Sequence, residues 1–416
     1  MSKIFPFLLV AAVLTIILPT FSHAVDNPVF GPKTYQRTTG QPNIYSDMVE
    51  ACNTGAVYSL VVENGDGGAN RVSSASIALN GAEIVKENDF SQAVERIEKQ
   101  ITLQSENSLN VRLSSGPGGF IKISIYCITN CLDVKITSPF DGSVINSAKA
   151  LIKGSLYNGY GETGIRIKNS YSDTTALAHV QGSGFAGAIP LQLGANSITA
   201  TAADACGYTA EDTVSVNAVT LVHAVRLTAT PWSGILSSST GAMSVVLEAT
   251  TNLMNLVSGY SWDLDGDGTQ DMTGKTLSKV VFAYGYAGLY FPSVTVTDTL
   301  GNTFTEDAVV NVLSRNDMDV LLISKWNGMK DGLSRGDIEK ALKHFAGPSQ
   351  KVYRYNFELM SSLLPAIAGE MGDITLVDIT GDTAEYEMRA VQDGRPLSFY
   401  AEFVRDEDGI WRIRFY

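Results

Sequence analysis

Basic residues are in short supply. Thirty Lys and Arg stand against 43 Asp and Glu, and the formal net charge is −13. Such a surface repels phosphate backbones, so nucleic acid is not an expected partner. Cysteine is scarce too: Cys52, Cys127, Cys131 and Cys206 are the only four. Their spacings lack the close pairs that a zinc site needs. Beyond the N-terminal segment three histidines remain, His179, His223 and His344, each in a different segment. None has a Cys or His at ligand spacing, so they read as core or surface residues. His344 lies near a helix end, where a cation suits the dipole. The chain holds no G-x-S-x-G, no H-E-x-x-H and no P-loop. "GDGGAN" (65–70) is a glycine-rich turn with no helix after it, so phosphate cradling is not expected.

The one marked apolar run is at the start. Lys3 is followed by Ile4 to Leu18, then by small residues at Ser22 and Ala24. This predicts a secretory leader over 1–24. The alternative is an uncleaved anchor, but the run of about 15 residues falls short of the ~20 that span a bilayer. No cysteine follows the cleavage site, which speaks against a lipoprotein. No later stretch is long and apolar enough to span, so the mature chain is expected to be exported without a transmembrane segment. Four cysteines in an exported chain suggest two disulfides, with three pairings to choose from.

At 416 residues several domains are expected. Over 25–131, apolar residues alternate through Ile77 and Leu79, through Leu109, Val111 and Leu113, and through Ile121, Ile123 and Ile125. Period-two runs bounded by Gly, Asn and Pro predict half-buried antiparallel strands and a small β-sandwich. The one helical candidate there is short, around Ser91 to Glu98. Residues 132–219 repeat the pattern, with a strand about every ten residues. Over 220–314 alternation continues. The last segment, 315–416, changes character. Leu321, Leu322, Trp326, Met329, Leu333, Ile338, Leu342 and Phe345 recur at spacings of three and four, predicting amphipathic helices broken near Ser334-Arg335-Gly336. "NFELMSSLLPAIAGEM" predicts a third helix, and four strands joined by Gly/Asp turns follow. Helices and then an antiparallel meander give α+β. The fold class is therefore mainly β: serial sandwiches and a C-terminal α+β domain.

"SWDLDGDGTQD" (261–271) is the strongest site candidate. Calcium takes six to eight oxygen ligands. Asp263, Asp265, Asp267, Gly268 and Asp271 fall at positions 1, 3, 5, 6 and 9 of an EF-hand loop, and Thr269 falls where a backbone carbonyl serves. Position 12 is Gly274, so the bidentate Glu is missing, and no helices flank the run. At best this is a β-hairpin calcium loop. The competing reading is a glycine-permitted turn with solvated carboxylates. Trp262 is expected to anchor the hairpin inward.

Several segments resemble known families. "ITSPFDGSVI", "GSGFAGAIPLQLGANSITATAADACG" and "DTVSV" resemble bacterial Ig-like modules. Tyr260, Trp262 and Asp263, then Tyr284, Gly288, Tyr290, Val294, Val296, Asp298 and Gly301, resemble a PKD domain. Phe282 stands where that family has His, and "FPS" (291–293) shifts the strand spacing. "WNGMKDGLSRGDIEKAL" and "FVRDEDGIWRI" resemble NTF2-like domains, whose curved sheet wraps helices into a cone.

The Ig-like resemblance implies that the first strand starts at the same pole as the loop joining the last two. On that basis Cys131 is expected to pair with Cys206, and Cys52 with Cys127. Each bond would stabilise its domain by up to ~4 kcal/mol in the chain-entropy model. A local Cys127–Cys131 bridge is the rival. The PKD and Ig-like resemblances imply protein or carbohydrate contact at the surface of a bacterial cell or in the periplasm, the sandwiches forming a stalk for the C-terminal domain. Two rivals are an accessory polysaccharide-binding protein and a small NTF2-like enzyme on a stalk. For the last, Asp373, Glu385, Tyr386, Glu387 and Tyr400 are the ionisable candidates, but alternation puts Tyr386 and Met388 inside and both glutamates outside. Trp326, Phe357, Phe399, Phe403 and Trp411 read as core. No catalytic residue is expected.

Overall fold

The computed structural model describes residues 28–220, 224–392 and 395–416; the predicted leader and His223 lie outside the described residues. The chain is mainly β, with four apolar cores in series among the described residues.

The first core lies between two four-stranded antiparallel sheets. One sheet runs Phe30–Gln36, Phe120–Thr129, Val57–Asn64, Arg96–Ile101; the other runs Asn43–Glu50, Glu106–Leu113, Ala75–Leu79, Ala82–Val85. Period two sets which side chains point inward. Ile77, Leu79, Leu109, Val111, Leu113, Ile121, Ile123 and Ile125 are all buried. The helix expected over 91–98 is absent. A single 3₁₀ turn lies earlier, at Glu87–Asp89, and Arg96–Ile101 is a strand. Ile97 and Ile101 are buried on one face of it, so two-residue alternation wins over a helical spacing too short to nucleate.

The second core belongs to one continuous eight-stranded sheet. Its order is Ser143–Ile145, Thr209–Ala218, Gly194–Asp204, Thr163–Asn169, Thr174–Gln181, Gly184–Pro190, Lys149–Tyr157, Asp133–Ser138. Thr174–Gln181 pairs with both its neighbours and carries the sheet around the corner. The last strand then folds back onto the second: the Ile136 amide donates to Asp212 Oδ2 at 2.8 Å.

The third core lies between a three-stranded sheet (Val225–Thr230, Met243–Thr251, Lys279–Tyr284) and a four-stranded sheet (Met272–Gly274, Val257–Asp263, Ser293–Asp298, Thr303–Asp307). Trp262 is fully buried at its centre, as its place in the sequence predicts.

Three short strands of this segment leave those sheets. Gly288–Tyr290, Val310–Leu313 and Ser233–Ile235 continue, through a Gly234–Thr380 pair, into the C-terminal meander Ile374–Thr380, Thr383–Gln392, Arg395–Arg405, Trp411–Phe415. One seven-stranded sheet thus spans two modules, which period-two reading within each segment does not reveal.

Helices α1 (Arg315–Ser334), α2 (Ile338–Leu342), α3 (Gly347–Leu359) and α4 (Leu364–Glu370) precede the meander. Ser314 caps α1 by accepting from the Asp317 amide, and Asp337 caps α2 by accepting from the Lys340 amide. The single helix expected after α2 is two. Pro365 cannot continue a helix from its N-terminal side, so it sits in the first turn of α4. Leu322, Trp326, Met329, Leu333, Leu342 and Phe345 are buried with Phe403, Trp411 and Ile413. Each large side chain contributes roughly 1.5–3 kcal/mol by leaving water.

Candidate functional sites at the acidic hairpin and the module junction

The acidic run is a hairpin loop between Val257–Asp263 and Met272–Gly274, with Trp262 paired to Met272. Its base is fixed from inside. The Trp262 indole donates to Leu277 O at 2.8 Å, and the Tyr284 hydroxyl donates to Leu264 O at 2.7 Å. Burial first, then Asp265, raises the Tyr284 phenol pKa, so that donor stays protonated.

The carboxylates order the loop's own backbone. Asp263 accepts from Gly266 N at 2.7 Å and Gly268 N at 2.9 Å. Asp265 accepts from Asp267 N, and Asp267 from Thr269 N. Gly266 and Gly268 have φ of 81° and 86°, the left-handed region that side chains avoid. A Cβ on Gly266 would also meet Phe291 O at 2.7 Å.

One carboxylate oxygen each from Asp263, Asp265 and Asp267 lie within 4.8 Å of one another. Asp271 is not in that group. Its Oδ2 is turned back to accept from Leu264 N at 2.6 Å, closing the base of the loop. The five-residue set expected from the sequence is therefore split. Three carboxylates converge in a way that suits a hard cation in part, Asp271 shapes the loop, and Thr269 contributes its amide to Asp267.

The cysteine pairing differs from the expected one. Cys127 is bonded to Cys131, and Cys52 and Cys206 are free thiols. A spacing of four residues at the end of Phe120–Thr129 brings Cys127 and Cys131 to a Cα separation of 5.9 Å, within the usual range for a bridge. This local closure uses both sulfurs that Cys52 and Cys206 were expected to take.

A further polar constellation, at a module junction, is one the sequence did not disclose. The second, third and C-terminal modules meet around a cavity of about 430 Å³. His179, from the second module, is buried there. Its Nδ1 lies 3.3 Å from Asn311 Nδ2 and 3.4 Å from Arg405 Nη1. Both are donors, so Nδ1 accepts and the proton belongs on Nε2. Its ring lies 4.9 Å from that of Trp232. Burial, and secondarily Arg405, push the His179 pKa down to about 3. Arg405 is itself held by Asp382 at 2.9 Å, by Gly409 O and by Ala178 O.

Glu162 reaches the C-terminal module twice. It accepts from the Trp411 amide at 2.7 Å, and its Oε2 is 2.5 Å from Lys325 Nζ. That second approach is an ion pair rather than an aligned hydrogen bond. Its side chains are 9% and 13% exposed, so water screens it little. Lys149 likewise joins the second module to the third, 2.7 Å from Glu306 and donating to Asp307 O at 2.9 Å. At Gly164 the backbones touch: a Cβ there would meet Asp408 O at 2.2 Å. These groups answer one another in charge and hydrogen bonding, so the arrangement braces modules.

Two of the partners left a trace in the sequence. Glu306 falls on the same strand face as Phe304, and Asn311 interrupts the apolar run "VVNVL". An inward polar residue needs a partner. The partner's identity was not legible.

The C-terminal interior is filled by Trp326, Phe345, Phe357, Tyr386, Phe403 and Trp411. Tyr386 is buried and donates to Asp319 Oδ1 at 3.1 Å. Asp373, Glu385 and Tyr400 are exposed, and Glu387 accepts from the Ser398 hydroxyl. Phe399, expected in the core, shares the inward face with Ala401 and Phe403 but is 44% exposed. His344 also differs from expectation. Burial, then Lys325, Lys340 and Lys343, push its pKa down to about 4, so it is neutral and offers no cation to a helix end.

Among the described residues no helix is long and apolar enough to cross a membrane. No protein family matches the chain, and no curated protein does. Among solved structures, the fibronectin(III)-like modules of CbhA from Clostridium thermocellum are 14% identical over 44% of this chain and 95% of that one, with a TM-score of 0.19. A modular endo-β-1,4-mannanase from Cellulomonas fimi is 24% identical over 21% of this chain and 18% of that one, TM-score 0.17. Dimeric latent PorU from Porphyromonas gingivalis is 10% identical over 68% and 33%, TM-score 0.26. Likenesses this faint carry no argument about activity. The chain's own strands define it as a multidomain β-sandwich protein.

Proposed function

We propose that the chain is an exported, non-catalytic scaffold of the cell surface or periplasm. Its sandwiches, Ig-like and PKD-like, hold an NTF2-like C-terminal domain in fixed orientation for protein or carbohydrate contact. The observation that supports this most is the shared seven-stranded sheet, reinforced by the Glu162–Lys325 and Lys149–Glu306 pairs. A tethered enzyme would be served by a flexible linker; a presenting stalk needs stiffness. The aromatic filling of the C-terminal interior also favours binding over turnover.

The acidic hairpin fits the same reading as a calcium-stiffened loop. Asp263, Asp265 and Asp267 would supply the oxygens, with water or neighbouring carbonyls completing the shell.

The test is co-sedimentation of the full chain with insoluble polysaccharides, alongside a reducing-sugar assay. Depletion from solution without sugar release is expected for the carbohydrate arm. No depletion removes that arm and leaves protein contact. Sugar release overturns the non-catalytic reading.

A further inference from the structure

We infer that Cys52 and Cys206 form a second disulfide that locks the first module to the second. The two residues are 154 positions apart in sequence and lie in different modules. Cys52 sits between Asn43–Glu50 and Val57–Asn64 of the first; Cys206 sits between Gly194–Asp204 and Thr209–Ala218 of the second. The fold sets Cys52 beside Cys206, close enough for one thiol to act on the other.

The contact is built on both sides. The Tyr208 hydroxyl reaches Tyr58 across the same boundary, and the Tyr58 hydroxyl donates to Asn53 O at 2.6 Å, beside Cys52. Asn53 Nδ2 donates to Asn130 O at 2.9 Å, pinning the loop. Opposite, Asp204 Oδ1 accepts from Cys206 N at 2.9 Å and Tyr208 N at 3.0 Å. Both loops are thus held before any bond forms, which lowers the entropy lost on closure. Tyr58 also pairs with Cys127, so the existing Cys127–Cys131 bridge lies at this same end of the first module. With that bridge formed, Cys52 and Cys206 have only each other.

The chemistry is thiol–disulfide exchange with a small disulfide, R–S–S–R. Cys52 is the exposed thiol and meets the reagent first. Its thiolate attacks one reagent sulfur, forming Cys52–S–S–R and releasing RS⁻. Cys206 then gives up its proton and attacks Cys52 Sγ, releasing the second RS⁻. The protein pair loses two electrons and two protons, and the reagent is reduced to two thiols. Burial, and then Cys52, raise the Cys206 thiol pKa, which makes it the resolving rather than the attacking partner. The product is a covalent tie across the boundary at which Tyr208 meets Tyr58. This inference does not depend on the proposed function.

The experiment uses the full chain incubated with oxidised glutathione, denatured under thiol-blocking conditions and mapped by non-reducing proteolysis and mass spectrometry. A Cys52–Cys206 linked peptide and no free thiol are expected. Cys52→Ser and Cys206→Ser should each leave one free thiol and remove the linked peptide. Unfolding of the oxidised chain should shift upward by several degrees against the Cys52→Ser/Cys206→Ser double variant. Two unmodified thiols after oxidation, a stable glutathione adduct at Cys52, or Cys52–Cys127 and Cys131–Cys206 peptides would each overturn the inference.

Discussion

Replacing Lys325 with Met removes the cation that faces Glu162 and leaves the stem that packs around it. Glu162 then keeps one donor, the Trp411 amide, and loses its direct ion-pair partner, with Arg412 the remaining, more distant cation. Truncating one partner of a buried ion pair typically costs 3–5 kcal/mol, because the other charge stays buried. The pair here is not wholly dry, so the lower end, about 3 kcal/mol, is the working figure. Glu162→Gln keeps an acceptor for Trp411 and buries no charge, so it should cost less. In the double variant much of the single-variant penalty should vanish, giving a coupling of about 2 kcal/mol. A multidomain chain does not unfold in one step, so global melting is the wrong readout. Amide exchange of Trp411 and its neighbours reports opening of the junction itself. At about 1.4 kcal/mol per tenfold, Lys325→Met should speed that exchange roughly 100-fold. A coupling within 0.5 kcal/mol of zero would mean the two charges act independently, and the bracing argument would fail at this contact.

Other perturbations reach the same architecture. His179 has its pKa lowered from 6.5 to about 3 in the fold. The folded state favours the neutral ring, so the stability tied to it is fully present above pH 6.5 and lost as pH falls toward 3. At pH 4.5 the loss is about 3 kcal/mol, and His344 adds to it in the same direction. Amide exchange at the junction, referenced to intrinsic rates at pH 7 and 4.5, should show a smaller loss of protection for His179→Gln; an equal loss refutes the assignment. Gly164→Ala places a methyl against the Asp408 carbonyl and should cost about 1–3 kcal/mol through overpacking, visible as raised exchange at Gly409. Unchanged exchange there would show that the two backbones do not meet. Calcium titration calorimetry should give heat with the full chain and none with Asp265→Asn, which alters a converging carboxylate without removing the side chain. Calcium at 100 times its dissociation constant would stabilise by ~2.7 kcal/mol. No heat with the wild type leaves the hairpin as a turn only.

Alternation was legible wherever a strand had one wet and one dry face. Ile77, Val111 and Ile123 fell inward as read, and Trp262 and Tyr386 did too. The 91–98 helix failed because so short a run carries no decisive period, and only a partner strand fixes Arg96–Ile101 as a strand. The α3–α4 break turned on Pro365, whose effect is local and was within reach. The cysteine pairing failed for a different reason. The family pole argument placed Cys206 correctly between the last two strands but weighed long closures above the four-residue one. The junction was illegible because its residues come from three segments. Glu162, Lys325 and Arg405 look like surface charges until the modules are set side by side.

The bracing contacts should make the second, third and C-terminal modules one stiff unit. Spin labels at Tyr171→Cys and Tyr355→Cys, both exposed sites, in a Cys52→Ser/Cys206→Ser background, give a distance distribution across that unit by pulsed electron resonance. One narrow peak is expected, broadening in Lys325→Met. A broad or multi-peaked distribution in the otherwise unaltered chain would contradict it.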